Sequence, residues 1–176
     1  MTGLRAIGLS GSISSPSRSG ALVNDLLERL AARNIDTELI DLARLSADGL
    51  LYRTKDAEVA AALERVTNVP ILLVGTPIYR ASYTGQLKAF FDLMPRDALH
   101  GTIAGLIATG ASPAHLLAVD HGLRPLVASL AGLSAARAIY ATDPELGGYP
   151  TDPLPAELGA QLDALSEELL AHAQQD

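Results

Sequence analysis

Short apolar runs alternate along the chain with longer stretches whose apolar positions recur every three or four residues. This is the pattern of a parallel sheet covered by helices. Leu4-Arg5-Ala6-Ile7-Gly8-Leu9 reads as a first strand, and Leu22, Val23, Leu26, Leu27 and Leu30 mark the buried stripe of a helix over residues 18–33. Thr37 to Asp41 forms a short second strand, and after a connection around Tyr52 an Ala-rich helix runs from Ala57 to Thr67. Ile71-Leu72-Leu73-Val74-Gly75 is a continuous apolar run suited to burial on both faces of a sheet. Thr84 is placed to cap a helix whose apolar face includes Leu87, Phe90, Phe91 and Met94, and Pro95 stops it. Residues 103–108 give a fourth strand, 114–130 a long helix and 136–141 a fifth strand. A Pro/Gly-rich stretch from Asp143 to Pro155 then leads into a last helix that ends near the C-terminus. Five strands in βα alternation predict an α/β, doubly wound three-layer sandwich. With no repeat and no linker, the chain reads as one domain over residues 1–176.

One helix conflicts with its own pattern. Pro125 lies inside the 114–130 periodicity, where its ring meets the carbonyl of His121, and Gly122 is a further weak point. A kink or a one-residue π-bulge is expected near residues 118–122, with His121 either functional or buried and satisfied by a backbone carbonyl.

In a doubly wound sheet, ligands bind beyond the carboxyl ends of the strands where the strand order reverses. For a five-stranded parallel sheet of order 2-1-3-4-5 that point lies between strands one and three, which singles out the loops at 10–19, 76–84 and 109–115. The first, Ser10-Gly11-Ser12-Ile13-Ser14-Ser15-Pro16-Ser17-Arg18-Ser19, matches neither a P-loop nor G-x-G-x-x-G. It offers hydroxyls, backbone amides at a helix N-terminus and one guanidinium, groups that suit a terminal phosphate monoester without magnesium. A turn of capping serines is the other reading, although a cap needs one serine and this loop has six. The second loop holds Thr76-Pro77-Ile78-Tyr79-Arg80, with Tyr79 and Tyr83 among only seven Tyr and Phe residues in the chain. It suits either a planar ligand or ordinary Tyr packing at a rim. The third, Thr109-Gly110-Ala111-Ser112-Pro113, permits close backbone approach at Gly110.

Composition narrows the chemistry. Apolar residues make up 48% of the 176 and charged residues 19%, enough for a sizeable core and too apolar for a disordered chain. The net charge of −7 argues against nucleic-acid binding. With Cys 0 there is no disulfide, thiolate metal site or cysteine nucleophile. No apolar run approaches the roughly 18 residues of a membrane span. The early Arg5 and short apolar stretch that runs into a Gly/Ser loop are unlike a signal peptide, so a cytoplasmic location is expected. Asp143 to Asp176 holds eight acidic residues and no Lys or Arg, which reads as a solvated face on the last helix. The preceding 142 residues are near neutral, with 13 basic and 12 acidic side chains, and accept an anionic ligand without strong repulsion. His100, His115 and His172 lack metal-ligand spacing, so no metal is assigned. Arg80 and Arg124 are candidates for a nucleotide 2′-phosphate.

The combination resembles the NADPH-dependent FMN reductases of the flavodoxin-like superfamily, and within it the small reductases that supply reduced FMN to two-component alkanesulfonate or methanesulfonate monooxygenases. The matching stretches are Leu9-Ser10-Gly11-Ser12 with Ser17-Arg18-Ser19, Thr76-Pro77-Ile78-Tyr79 through Gly85-Gln86-Leu87-Lys88, and Ala108-Thr109-Gly110. His115-Leu116-Leu117-Ala118-Val119-Asp120 with Leu123-Arg124-Pro125-Leu126 points to the sulfonate type. The resemblance implies a flavodoxin-like three-layer sandwich. It also implies that Ser10, Ser12, Ser17, Arg18 and Ser19 surround the FMN phosphate. Pro77, Ile78 and Tyr79 would contact the isoalloxazine and ribityl chain, with Thr109 and Gly110 at the ring's other edge. It implies FMN and NADPH as cofactors, an FMNH2-dependent monooxygenase as partner, and a homo-oligomer, dimer or tetramer. In such relatives the proline-bearing helix carries an inserted aromatic and packs in a tetramer interface; here His121 stands at that position.

Hydride transfer from nicotinamide to flavin draws its reactive groups from the cofactors, so no side chain is expected to act as a catalytic acid, base or nucleophile. With 4% aromatics and Trp 0, an aromatic sandwich around a flavin is hard to build, and FMN is read as a loosely held substrate. A quinone or azo reductase with tightly bound FMN is the alternative. An electron-carrier flavodoxin fits less well.

Overall fold

The computed structural model describes residues 3–174. Met1, Thr2, Gln175 and Asp176 lie outside the described residues, and with them the ends of the 1–176 span and the last of the eight acidic side chains.

Strand β1 (Arg5–Ser10) leads through the serine loop into α1 (Arg18–Ala31), and β2 (Asp36–Asp41) is followed by a 3-10 turn, Leu42–Arg44. Helices α2 (Ala47–Leu50) and α3 (Ala57–Val66) precede β3 (Ile71–Pro77), α4 (Gly85–Asp92) and β4 (Ile103–Gly110). A 3-10 turn at Pro113–His115, a π-helical segment at Val119–Leu123 and α5 (Arg124–Ala128) then lead to β5 (Leu133–Thr142). The chain closes with α6 (Asp143–Leu146) and α7 (Ala156–Ala173). All strand pairings are parallel and the order is β2-β1-β3-β4-β5, as expected of the flavodoxin-like sandwich.

Side chains alternate across β3. Ile71 and Leu73 pack with Leu22, Leu26 and Leu30 of α1 and Leu162, Leu165 and Leu169 of α7. Leu72 and Val74 pack on the other face with Val59 of α3, Phe90 of α4 and Val127 of α5. A strand apolar on both faces must have helices on both sides, which is why the continuous run at 71–75 predicts this architecture.

The 114–130 helix is corrected: it is not continuous. The N–H of Arg124 bonds the carbonyl of Val119, five residues back, so the chain widens into a π turn where Pro125 cannot supply a normal donor. His121 is exposed on this segment, which overturns its reading as a buried histidine. Gly122 lies against the Tyr83 ring; a Cβ there would meet the ring at 3.2 Å. Strand β5 begins earlier than its apolar pattern predicts, at Leu133, which is 66% exposed on the sheet's edge. Its pairing with β4 shifts between Ala104↔Ser134 and Leu106↔Ala138, leaving a bulge in β5. The short helix α2 went unrecognised by periodicity because four residues carry no period.

The described acidic residues of this end are exposed, as a solvated face should be, except Glu168, which is largely covered, and the segment is not isolated. Arg29 and Arg33 of α1 pair with Asp163 and Glu167 of α7. Tyr149 donates to Asp25 of α1 at 2.5 Å, and burial followed by that carboxylate push its phenol pKa up. No described helix is long and apolar enough to cross a membrane.

Candidate functional site

At the carboxyl edge of the sheet, the ends of β1, β3, β4 and β5 surround a cavity of about 370 Å³. One side of it is the β1–α1 loop. Ser17 caps α1, its Oγ accepting from Gly20 N–H at 3.0 Å and lying 3.2 Å from Ser19 Oγ. The first-turn amides of Arg18 and Ser19 have no intrahelical acceptor, as the first turn of any α-helix leaves them. Ser12 closes the loop on itself, its Oγ accepting from Ser14 N–H at 3.1 Å. Hydroxyls, free amides and a helix N-terminus thus converge where one guanidinium, that of Arg18, also reaches.

Three loops are bound into one rim. Gly11 N–H donates to Gly75 O at 2.7 Å, and the Thr84 hydroxyl donates to Gly11 O at 2.5 Å. The same hydroxyl accepts from Leu87 N–H at 3.2 Å, while Thr84 N–H donates to Thr76 Oγ1 at 3.3 Å. Ile78 N–H donates to Thr109 O at 2.7 Å, joining the second loop to the third. Gly11 is tightly enclosed: a Cβ would lie 3.0 Å from both Gly75 O and Leu87 Cβ, so a side chain there would press on the rim. Beyond Ile78 the chain reverses in a two-residue turn, with Tyr79 and Ser82 paired and Arg80 and Ala81 at φ 51 and 63. That left-handed pair is the geometry of a type I′ hairpin turn, here without glycine. It leaves Tyr79 45% exposed at the cavity mouth.

Of the residues singled out from sequence, Ser12, Ser17, Arg18 and Ser19 line the cavity at the β1–α1 loop. Pro77, Ile78 and Tyr79 line it at and beyond the end of β3, and Thr109 and Gly110 line it beside them at the end of β4, where Pro77 pairs with Thr109. Ser10 does not line the cavity; it is buried at the end of β1 beneath α1, where its Oγ occupies the space a Cβ on Gly20 would need. Sequence reasoning passed over Ser14, Pro16, Ala111 and Asp143, which also line the cavity. The first two stand in the loop already identified. Asp143 is brought in by β5, whose Thr142 pairs with Gly110 of β4, and no local pattern marks it.

Among the two candidate nucleotide arginines, Arg124 is occupied. Its guanidinium donates to the carbonyls of Ala135 and Ala136 in the β5 bulge at 2.5 and 2.7 Å, and to Asp120 at 2.7 Å. Arg80 forms no ion pair among the described residues and projects at the tip of the hairpin turn. No group of three or more potential metal ligands occurs among the described residues.

The model of the NADPH-dependent FMN reductase family matches residues 4–145. The chain is 40% identical over 144 residues to the NADH-dependent FMN reductase SfnF of Pseudomonas putida, covering 79% of this chain and 77% of that one. It is 34% identical over 147 residues to the FMN reductase (NADPH) of Escherichia coli K12, covering 83% and 77%. The crystal structure of an apo NADH:FMN oxidoreductase superimposes with a TM-score of 0.86 at 33% identity, covering 96% of this chain and 89% of that one.

Proposed function

The chain belongs to the NADPH-dependent FMN reductase family and is an NAD(P)H:FMN oxidoreductase, and from that premise we propose that the cavity between the serine loop and the Pro-Ile-Tyr loop is where FMN sits. The observation that supports the reading is the convergence of three loops far apart in sequence on one cavity, whose lining holds the Arg18 guanidinium and the serines of the first loop together with Pro77, Ile78 and Tyr79 of the second. The volume of about 370 Å³ lies within the range of small-molecule sites.

In this reading Ser12, Ser17, Ser19 and the first amides of α1 hold the phosphate, Arg18 supplies its counter-charge, and Ser10 supports the loop from below. Pro77, Ile78 and Tyr79 set the plane of the isoalloxazine, and Thr109 and Gly110 bound its far edge. FMN held there would supply the acceptor for a hydride from the nicotinamide. The protein stacks the two rings, excludes misaligned poses and contributes no acid or base. Arg80, exposed and in no ion pair among the described residues, is the group offered to a nucleotide 2′-phosphate, which favours NADPH over NADH. The product, reduced FMN, passes to a monooxygenase acting on sulfonates. The protein works as a single flavin-binding domain, in a homo-oligomer, and in the cytoplasm where reduced nicotinamide is available.

Arg18→Ala tests the phosphate assignment. A hydrogen bond to a charged group is worth about 1.5–3 kcal/mol, so the FMN dissociation constant rises roughly 10- to 100-fold while that of riboflavin is unchanged. Equal losses for both flavins would refute the assignment.

A further inference from the structure

Two charged side chains line the cavity, and they face each other. Arg18 Nη1 donates to Asp143 Oδ1 at 2.9 Å, and Arg18 Nη2 reaches the carbonyl of Gly147 at 3.5 Å. A phosphate entering between Ser17 and Ser19 therefore meets a guanidinium already committed to a carboxylate. It also meets a wall whose formal charge sums to zero.

The position of Asp143 follows from the fold and not from a need of its own turn. Thr142 pairs with Gly110, which sets the next residue beside the end of β4 at the carboxyl edge. The α6 turn is capped by its neighbours: Thr142 Oγ1 accepts from Glu145 N–H at 3.4 Å, and Glu145 Oε2 accepts from Thr142 N–H at 2.7 Å. The Asp143 carboxylate takes no part in that box and turns to Arg18. Both side chains are substantially exposed, 41% for Arg18 and 54% for Asp143, so the pair is weak enough for a dianion to share or displace.

We infer that Asp143 sets the affinity for the flavin phosphate: its carboxylate competes with the phosphate for Arg18 and repels the dianion, holding FMN loosely enough to leave once reduced. This inference rests on the phosphate assignment above. Asp143 acts through Arg18 and by its own field, and makes no chemical step.

The test measures FMN and riboflavin dissociation constants, by flavin fluorescence, for the wild type, Asp143→Asn, Arg18→Ala and the double variant. Asp143→Asn is expected to bind FMN about two- to tenfold tighter, at or somewhat above the worth of an exposed ion pair, with riboflavin unchanged. Its KM for FMN falls while kcat does not rise, and the gain shrinks when Arg18 is already alanine. If Asp143→Asn binds FMN more weakly, or no differently, while Arg18→Ala still discriminates against FMN, the inference is overturned and the phosphate assignment stands. A change shared equally by FMN and riboflavin also overturns it. If neither variant separates the two flavins, the phosphate assignment and the inference fall together.

Discussion

Thr84 illustrates how much of the cavity rim depends on single polar atoms. Its hydroxyl serves Gly11 O and Leu87 N–H at once, and its own N–H is held by Thr76. The residue is 3% exposed, so water cannot replace these bonds. Thr84→Val keeps the volume and removes the hydroxyl, stranding a carbonyl and an amide. The expected loss is about 1–3 kcal/mol of stability, seen as a lower midpoint in urea, together with weaker FMN binding as the serine loop loosens. A variant with unchanged midpoint and unchanged affinity would show that the rim does not need this tie. Tyr79 and Arg80 are governed at the same scale. Their orientation is set by a turn with two left-handed residues, and that turn is stabilised by the Tyr79–Ser82 backbone pair.

At the scale of elements, the π segment and the β5 bulge form one unit. Arg124 closes the π turn with its backbone and satisfies two bulge carbonyls with its side chain. From the other side, Glu168 of α7 accepts from Ala136 N–H and from Arg137 N–H at 3.2 Å. The irregular backbone of an edge strand is thus neutralised by one guanidinium and one carboxylate, which also withdraws those groups from pairing with another chain. Burial opposes ionisation of Glu168, but the two N–H groups and the Arg137 guanidinium outweigh it and hold its pKa below the ordinary value. A carboxylate depressed in the folded state stabilises fully above its unfolded value, about 4.3, and that stabilisation is lost as the pH falls through the lower folded value. Glu168→Gln should therefore cost about 1–2 kcal/mol at neutral pH, and the gap to the wild type should narrow as the pH falls below the unfolded value of about 4.3. Denaturation curves at pH 7 and pH 3.5 check this; a gap that widened on acidification would contradict the assignment.

For the whole molecule, the sheet order decides that the three loops meet, because β1 and β3 are neighbours and their following helices leave on opposite faces. Steady-state oxidation of NADPH and NADH, each with FMN, FAD and riboflavin, gives the overall test. Turnover is expected to require added FMN, with the protein colourless after gel filtration. A protein that stays yellow and turns over without added flavin would favour the tightly bound quinone or azo reductase reading. The strand and helix periods were legible in residues such as Ile71 to Val74 and Leu22 to Leu30, because burial on one or two faces imprints a local repeat. The serine–arginine loop and the Pro-Ile-Tyr loop were legible because their residues are contiguous. The widened turn at 119–123 was legible too, since Pro125 and Gly122 announce a broken ladder within a few positions. Asp143, the bulge at Ala135 to Arg137 and the engagement of Arg124 were decided only by tertiary structure. Asp143 and Arg18 are 125 positions apart in sequence and meet through the β4–β5 register. A register is a relation between two strands, and neither strand's own pattern of apolar and polar residues contains it.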